Sequence, residues 1–586
     1  MLSRNEFTIL CTLLKHPGAT QRELANLSGL SLGIVNGTHK SIVKARLFEN
    51  GEVSPRGIRE LSPYKVDNAI IMAAGISSRF APISYEKPKG LLTVRGEVLV
   101  ERQIQQLRAA GVDRIILVVG YRKELFFYLE DKYGVEVVVN PDFATRNNHS
   151  TLMRVRKQLG NSYICSSDNY FTQNPFEEYV WKSYYAAEYA EGPTKEWCLT
   201  FDKKHRITDV TIGGRDAWYM TGHAYFDRVF SGRMADILEE EYDSPATVGK
   251  LWEQLYKEHI DELDMEIRCY EPGTIYEFDS LDELRDFDPL FLENVDVAIF
   301  DNIVSVLGCK KSEIHDVYPL KQGHVNLSCH FATEEGEYVY RHPRPDSSRM
   351  VDWSAETQGE ELARAIGLDA SFMFEDPRSG WKLSRFIPDC KALNPHDDAQ
   401  VADAMSALRK LHSQGAVLSR TFDYLTEGMQ HDSYLRSRGR TGVRGYDELK
   451  EQAIAAKRLA DSCGARICPT HNNFSDCNLL YDGAGNLHVI DWKYAGMSDY
   501  ASDFGTFVVA CALDKDEAQR ALELYFGRKP TAEERLHNLA YVGLAGWCWY
   551  LWALHQEADN DFMGNSMYTY YRYARHYLQA ALSACG

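Results

Sequence analysis

A multidomain fold of α/β and α+β parts is what this sequence predicts, and three observations carry the prediction. At 586 residues the chain is too long for one core, at roughly 150 residues per domain. Its second part alternates apolar runs such as VDNAIIMAAG, RIILVVGY and VEVVVN with helical stretches such as VLVERQIQQLRAAG, as expected of a parallel sheet covered by helices on both faces. Its last part opens with short strands in YPLKQGHVNLSCHFATEEGEYVYRHP and turns largely helical after Glu356, the order of a small sheet lobe followed by a helical one.

Composition narrows the function before any motif is read. With 44% hydrophobic and 25% charged residues the chain falls in the globular range, so extensive disorder is excluded. The net charge of −19 opposes a broad polyanion-binding surface and leaves DNA a possible but unfavoured partner. No run approaches the roughly 18 apolar residues of a membrane span, and MLSRNEFTILCTLLKHPG lacks the clean apolar stretch of a secretory segment. A soluble, cytoplasmic protein without membrane insertion is the expectation. The 13 cysteines show neither C-x-x-C pairing nor zinc spacing, which predicts reduced, mostly buried thiols.

Residues 1–62 form the first predicted domain. Leu24, Leu27 and Leu30, then Ile34, Val35, Ile42 and Val43, recur at helical spacing, and Gly29 and Ser31 supply a turn and a cap between two helices. The pattern resembles a winged helix-turn-helix, with GEVSPRGIREL as the wing and a closing turn and with His39, Lys40, Lys44 and Arg46 giving the second helix some basic character. Without a strong basic patch, packing or oligomerisation through this domain is favoured over DNA binding.

The second domain, residues 66–292, follows Pro63. A strand ending in Ala73, Ala74 and Gly75 brings backbone N–H groups to a turn where triphosphate oxygens can bind, and Arg79 and Lys89 can neutralise charge developing on a pyrophosphate leaving group. These residues point to nucleotidyl transfer. The ordered motifs AAGISSRF, EKPKGLL, ERQIQQLRAAG, VVGY, NPDFATRNNHSTL, YICSSDNYF, EWCLTFD, WYMTGHAYFD and IYEFDSLDEL resemble the sugar-phosphate nucleotidyltransferases, and within them the bacterial CTP:phosphocholine cytidylyltransferases. The resemblance spans about residues 66–290 and implies a Rossmann-like domain. One departure is Ser77, where that family commonly carries Gly.

Asp168, placed at a strand end in SSDN, is the metal ligand that Mg²⁺ needs beside a nucleotide phosphate. Its partner falls in IYEFDSL, where Glu277 and Asp279 are both candidates and share a face if the stretch is a strand. Asn147, Asn148 and Ser150 resemble the family's nucleoside-contacting segment, and cytosine as the base follows from the resemblance alone. A quaternary ammonium has no proton to donate and is recognised by aromatic faces and a carboxylate. Trp197, Trp218, Tyr219 and Tyr225, with Glu196 and Asp202, fall between the two metal-ligand segments and are the acceptor-binding candidates. The implied reaction joins CTP and phosphocholine to give CDP-choline and pyrophosphate, with phosphoethanolamine or 2-aminoethylphosphonate as alternative acceptors.

The third domain, residues 296–586, contains PTHNNFSDCNLLYDGAGNLHVIDWKYAGMSDYASDFGTF, which resembles the catalytic segment of choline kinases and aminoglycoside-phosphotransferase-like enzymes. The resemblance implies a bilobal kinase-like fold, a catalytic loop opening at His471, and metal roles for Asn478 and Asp491. It makes LKQGHVNLSCHF the hairpin over the phosphates of ATP, Arg341 the nucleotide-side cation, and Glu356 the partner of Arg341. Trp549 and Trp552, three apart on a helix, resemble the aromatic helix that helps bind choline in bacterial kinases.

Two departures count against catalysis. Asn473 stands where the family has its catalytic Asp, and losing a general base costs on the order of a hundredfold to ten-thousandfold. Lys493 stands where choline kinases commonly carry Glu. The domain is therefore either a kinase feeding phosphocholine to its neighbour or a degenerate relative that binds a ligand or partner. A rival reading of the whole chain is a ligand-responsive DNA-binding regulator.

Overall fold

Ser3, Thr20 and Ser31 each accept a backbone N–H from three residues on, and so start the helices Arg4–Lys15, Gln21–Ser28 and Leu32–Lys44. Phe7, Leu10, Leu13, Leu24, Val35 and Ile42 turn inward from them and form a small core. The hairpin pairing Phe48–Glu49 with Glu52–Val53 is the wing, and Ser54 caps the closing helix Pro55–Leu61. The outer face of Leu32–Lys44 exposes Leu32, Ile34 and Val43 beside Lys40 and Lys44. The computed structural model describes residues 2–278, 280–320, 326–344, 351–559 and 563–584, apart from the side chain of Arg79.

The chain divides into two units, the first running to Ser305 with two short later pieces, the second comprising the remainder. The winged helix belongs to the first unit because it is packed there by aromatic rings. The Phe7 ring lies 5.1 Å from Tyr64 and 5.4 Å from Trp181, and Tyr64 stacks on Trp181 at 5.0 Å. Each large side chain removed from water in this way contributes roughly 1.5–3 kcal/mol, which outweighs the exposed Lys15–Glu177 pair beside it.

The rest of the first unit is built on a seven-stranded sheet. Its strands lie in the order Glu266–Cys269, Tyr184–Phe201, Ile207–Phe226, Ser162–Ser166, Asn68–Ala73, Ile115–Val119, Glu136–Val139. The last four are mutually parallel, whereas Ile207–Phe226 runs against Ser162–Ser166. Both faces are buried: Ala69, Ile71 and Ala73 pack into one cluster and Ile70 into another, which is why the strands read as unbroken apolar runs. The helix Ala298–Leu307, which the sequence pattern assigns to the third domain, begins in the first unit. There the Ala298 N–H donates to Glu86 Oε2 at 2.7 Å.

In the second unit the strands Asn326–Thr333, Gly336–Pro343, Lys382–Arg385 and Phe372–Glu375 are neighbours in that order, all antiparallel. A helical lobe follows, centred on the long helix Ala532–Ala558, whose glycines Gly543 and Gly546 sit against Leu578 and Ala574 of Asn565–Ser583. None of the described cysteines is bridged, and six of the twelve are buried, half rather than the expected majority. No described helix is long and apolar enough to cross a membrane.

Candidate active site

The strand Asn68–Ala73 runs into a loop that borders a cavity of about 740 Å³. Ala73, Ala74, Gly75, Lys89, Asn147, Asn148, Ser150, Asp168 and Glu277 all line it. The loop is held from behind: Ala74 O accepts the Tyr121 N–H at 3.1 Å, and a Cβ at Gly120 would lie 2.8 Å from that oxygen and 2.7 Å from Phe143 Cβ. Glycine in VVGY is a packing requirement. Ser77 adopts a left-handed conformation, φ +52° and ψ +47°, the region in which glycine is unstrained.

Asp168 follows the strand Ser162–Ser166, and Lys89 Nζ lies 2.7 Å from its Oδ2. Both side chains are largely withdrawn from solvent, at 9% and 18% exposure, so this pair is far less screened than a surface one. The turn carrying Asp168 is fixed by Gln103, whose Nε2 donates to Ser166 O and Asn169 O, both at 2.9 Å. Glu277 ends the short strand Ile275–Glu277 and pairs in register with Asn169, the residue after Asp168. The two carboxylate residues are thus brought together by strand pairing from positions 109 apart in the chain. Gly222, at φ +67°, gives Glu277 its room: a Cβ there would stand 2.8 Å from Glu277 Oε2. Glu188, buried among its neighbours, accepts the N–H groups of Gly273, Thr274 and Ile275 at 3.0, 3.0 and 2.7 Å and so anchors the strand. Asp279 lies outside the described residues, as does the side chain of Arg79.

Asn147 and Asn148 border the cavity while their side-chain amides secure the opposite wall. Asn147 Nδ2 donates to Gly249 O at 3.1 Å, Asn148 Nδ2 donates to Glu253 Oε2 at 3.2 Å, and Asn148 Oδ1 accepts the Trp252 N–H at 2.7 Å. Ser150 Oγ donates to Asn147 O at 2.7 Å and accepts from Asn140 Nδ2 at 2.8 Å. Burial pushes the Glu253 carboxyl up to about 7.

None of the six residues put forward as acceptor ligands, exposed Asp202 included, lines this cavity. Trp197 and Trp218 are half-buried and packed against the hydrophobic cluster behind the sheet, Trp218 edge-on to Tyr189 at 5.4 Å. Glu196 is exposed on the hairpin. Tyr219, half-buried, has its phenol pushed up to about 12 by burial and by the charges of Glu188, Glu196 and Glu277. Glu277 of the cavity wall thus acts on Tyr219 electrostatically. Tyr225 is wholly buried.

The kinase-like residues gather at a second centre. Arg341 bonds Glu356 through Nη1 and lies 2.6 Å from Glu375 Oε1 through Nη2, all three being buried. His471 accepts the Asn473 N–H at Nδ1 (3.1 Å) and lies 3.0 Å from Ile490 O at Nε2, the geometry of a neutral ring protonated on Nε2; burial lowers its pKa accordingly. Asn473 Nδ2 donates to Asp491 Oδ2 at 3.1 Å, and Asn478 Nδ2 donates to Asn473 O at 2.9 Å. Lys493 Nζ is 3.0 Å from the same Asp491 Oδ2. Burial raises the Asp491 pKa, but the cations Lys493, Arg341 and Lys382 outweigh it and hold the group down at about 2. The Trp549 and Trp552 rings meet edge-on at 5.7 Å, and Trp549 meets Tyr494 at 5.3 Å. Residues Lys321–Val325 of the proposed phosphate hairpin lie outside the described residues.

Three family models match successive stretches of the chain. Residues 69–190 match the MobA-like NTP transferase domain, residues 316–537 the phosphotransferase enzyme family, and residues 2–36 a winged helix-turn-helix DNA-binding model. A choline-phosphate cytidylyltransferase of Streptococcus pneumoniae is 34% identical over 222 residues, 38% of this chain and 97% of its own length. The chain belongs to the cytidylyltransferases of the MobA-like NTP transferase family. A 2-aminoethylphosphonate cytidylyltransferase of Lancefieldella rimae is 36% identical over 38% of this chain and 92% of its own length. The crystal structure of a choline kinase from Streptococcus pneumoniae superposes on 48% of this chain and 98% of its own, at 20% identity and a TM-score of 0.43.

Several residues that build the cytidylyltransferase centre went unassigned from sequence. Gln103 is a polar residue on the inward face of an amphipathic helix beside Val100, Ile104 and Leu107. Glu188 is a lone carboxylate at the end of the buried run YYAAE. Both carried a legible signal, a polar side chain where the period demands an apolar one. Asp503 of the second unit, which accepts the His471 N–H at 3.0 Å and lies 3.0 Å from His412 Nε2, carried the same signal inside a buried helix.

Proposed function

We propose that this cytidylyltransferase moves CMP from CTP to a small amino-phosphorus acceptor, phosphocholine first among them, releasing pyrophosphate. The observation that carries the reading is the convergence of the Ala73–Gly75 backbone, Lys89, Asp168 and Glu277 on one cavity. An acceptor phosphate oxygen attacks the α-phosphorus in line, the bond to the bridging oxygen breaks, and that oxygen leaves as part of pyrophosphate. No protein nucleophile is needed. Lys89 supplies a fixed positive charge where the leaving group gathers negative charge, and the loop amides hold the phosphates in register.

The donor set fits Mg²⁺: two carboxylates, Asp168 and Glu277, are what this ion takes from protein when phosphate and water complete its shell. When bound it would neutralise phosphate charge. Asn147, Asn148 and Ser150 line the cavity and are read as its nucleoside side, whereas Tyr219, outside the lining, is read as part of the amine surface only because Glu188, Glu196 and Glu277 act on its phenol.

A 2-aminoethylphosphonate acceptor is the second reading, favoured by Asn473 and by the Lys493–Asp491 pair, because a phosphonate requires no preceding kinase step. The winged helix is read as a packing and oligomerisation module, given its aromatic seam and the apolar outer face of Leu32–Lys44. The test is mass-spectrometric detection of products from CTP and Mg²⁺ with phosphocholine, phosphoethanolamine and 2-aminoethylphosphonate in competition. Dominance of CDP-choline supports the first reading, another CMP conjugate replaces the acceptor, and no conjugate at all overturns the proposal.

A further inference from the structure

We infer that the kinase-like centre has exchanged its divalent cation for an ammonium of its own chain, so that Lys493 stands in the cation's place at Asp491 and the centre takes up no Mg²⁺. The inference concerns the second unit alone and does not depend on which acceptor the cytidylyltransferase uses.

The geometry comes first. Asp491 is the one carboxylate among the three side chains that the kinase resemblance places at the reacting phosphate, Asn473 and Asn478 being neutral amides. Its Oδ2 is engaged twice, by Lys493 Nζ at 3.0 Å and by Asn473 Nδ2 at 3.1 Å. Asn478 spends its amide nitrogen on Asn473 O at 2.9 Å, which locks the loop in this arrangement. Lys493 is no mobile surface residue: its side chain is 20% exposed, and its ammonium lies 5.5 Å from the centroid of the Tyr494 ring.

The charge balance points the same way. Within this trio Asp491 contributes one negative charge, and Lys493 cancels it. Arg341 and Lys382 also face Asp491 and pair with Glu356, Glu375 and Glu360, and Glu356 acts on Lys493 as well, so the ammonium is held in place by negative charge beyond Asp491 alone. Mg²⁺ gives up its water reluctantly and is ordinarily held by one or two protein carboxylates together with substrate phosphate. A site whose single carboxylate already carries an ammonium offers it like-charge repulsion in a low-dielectric setting, where such repulsion is only weakly screened. Asn473 fits the same exchange: without the carboxylate of a general base, the second negative charge that would draw in a cation is missing as well.

Mn²⁺ serves as the probe, because bound and free Mn²⁺ are distinguished by electron paramagnetic resonance independently of any activity. The full chain and its Asp491→Asn, Lys493→Ala and Lys493→Gln variants are titrated without nucleotide. Wild type and Asp491→Asn are expected to bind the same number of ions. Each Lys493 variant is expected to bind one more, and adding Asp491→Asn to either should abolish the gain. Loss of one ion in Asp491→Asn alone would overturn the inference, as would folded Lys493 variants that gain none. If removing Lys493 unfolds the domain by leaving the half-buried Asp491 without its cation, the wild type against Asp491→Asn comparison still decides the matter.

Discussion

Each of the two centres sets a lysine against an aspartate, Lys89 Nζ to Asp168 at 2.7 Å and Lys493 Nζ to Asp491 at 3.0 Å, yet their surroundings differ. At the first, strand pairing brings a second carboxylate, Glu277, to the same cavity wall, Gly75 faces open space, and Gly90 and Gly222 allow the close approach of Ser167 and Glu277. At the second, the amide of Asn473 shares the oxygen that the lysine already holds. A lysine–aspartate pair therefore does not specify chemistry. What shares the carboxylate does: another carboxylate makes the pair part of a charge-neutralising site, whereas an amide leaves a closed ion pair.

The sharpest way to break this comparison is to remove the first lysine. Lys89→Ala deletes the buried cation beside Asp168 and should lower kcat for CMP transfer about a thousandfold, the cost of removing a positioned charge-stabilising group from a water-excluded site. Pyrophosphate release measures it. A loss below about tenfold would mean that Lys89 merely holds Asp168 in place and that the two pairs are alike.

A second measurement sharpens the contrast in how carboxylates are compensated. Around the kinase-like centre Glu356, Glu360, Glu375 and Asp491 each face a cation, whereas Glu253 behind the cytidylyltransferase cavity accepts bonds from neutral groups, Asn148 Nδ2 and the Tyr185 hydroxyl. Burial raises its pKa from the ordinary 4.5 of a glutamate to about 7. The folded protein thus holds this proton more tightly than the unfolded chain, so its contribution is complete below about pH 4.5 and lost as pH rises through 7. A difference of this size corresponds to about 3 kcal/mol. Glu253→Gln should be more stable than wild type by up to that amount at pH 8, and should lose this part of the dependence between pH 5 and 8 in unfolding titrations. An unchanged pH profile would show that water reaches Glu253.

How much of this could be read from the residues differs between the two centres for a physical reason. Lys89, Asp168 and the Ala73–Gly75 turn lie in short contiguous motifs, where local order carries the chemistry, and the apolar runs of the sheet announce burial on both faces directly. Glu188 and Gln103 act on backbone groups more than sixty residues away, and only the sheet register shows what they hold. Where the cage candidates Trp197 and Trp218 pack was illegible for a related reason: they lie in family-like motifs, but the hairpin turns them onto the core, where large apolar area is buried. The direction of Lys493 toward Asp491 likewise needed coordinates, because two residues of spacing after a left-handed Asp491 (φ +67°) do not fix where a lysine points.

The smallest effect tests the one departure in the phosphate loop. Ser77 holds φ +52°, a conformation that costs an L-residue roughly 1–2 kcal/mol, while its carbonyl accepts the Phe80 N–H at 2.8 Å and so continues the loop. Glycine would remove that strain but lose roughly 0.5–1 kcal/mol in backbone entropy on folding. The two nearly offset, so Ser77→Gly should stabilise the first unit by at most about 1 kcal/mol and leave kcat within about threefold. A rise in melting temperature would show that the strain dominates. A fall, with kcat also reduced, would show that the serine side chain is itself part of the phosphate cradle, and would place the departure among the features that separate this cytidylyltransferase from its relatives.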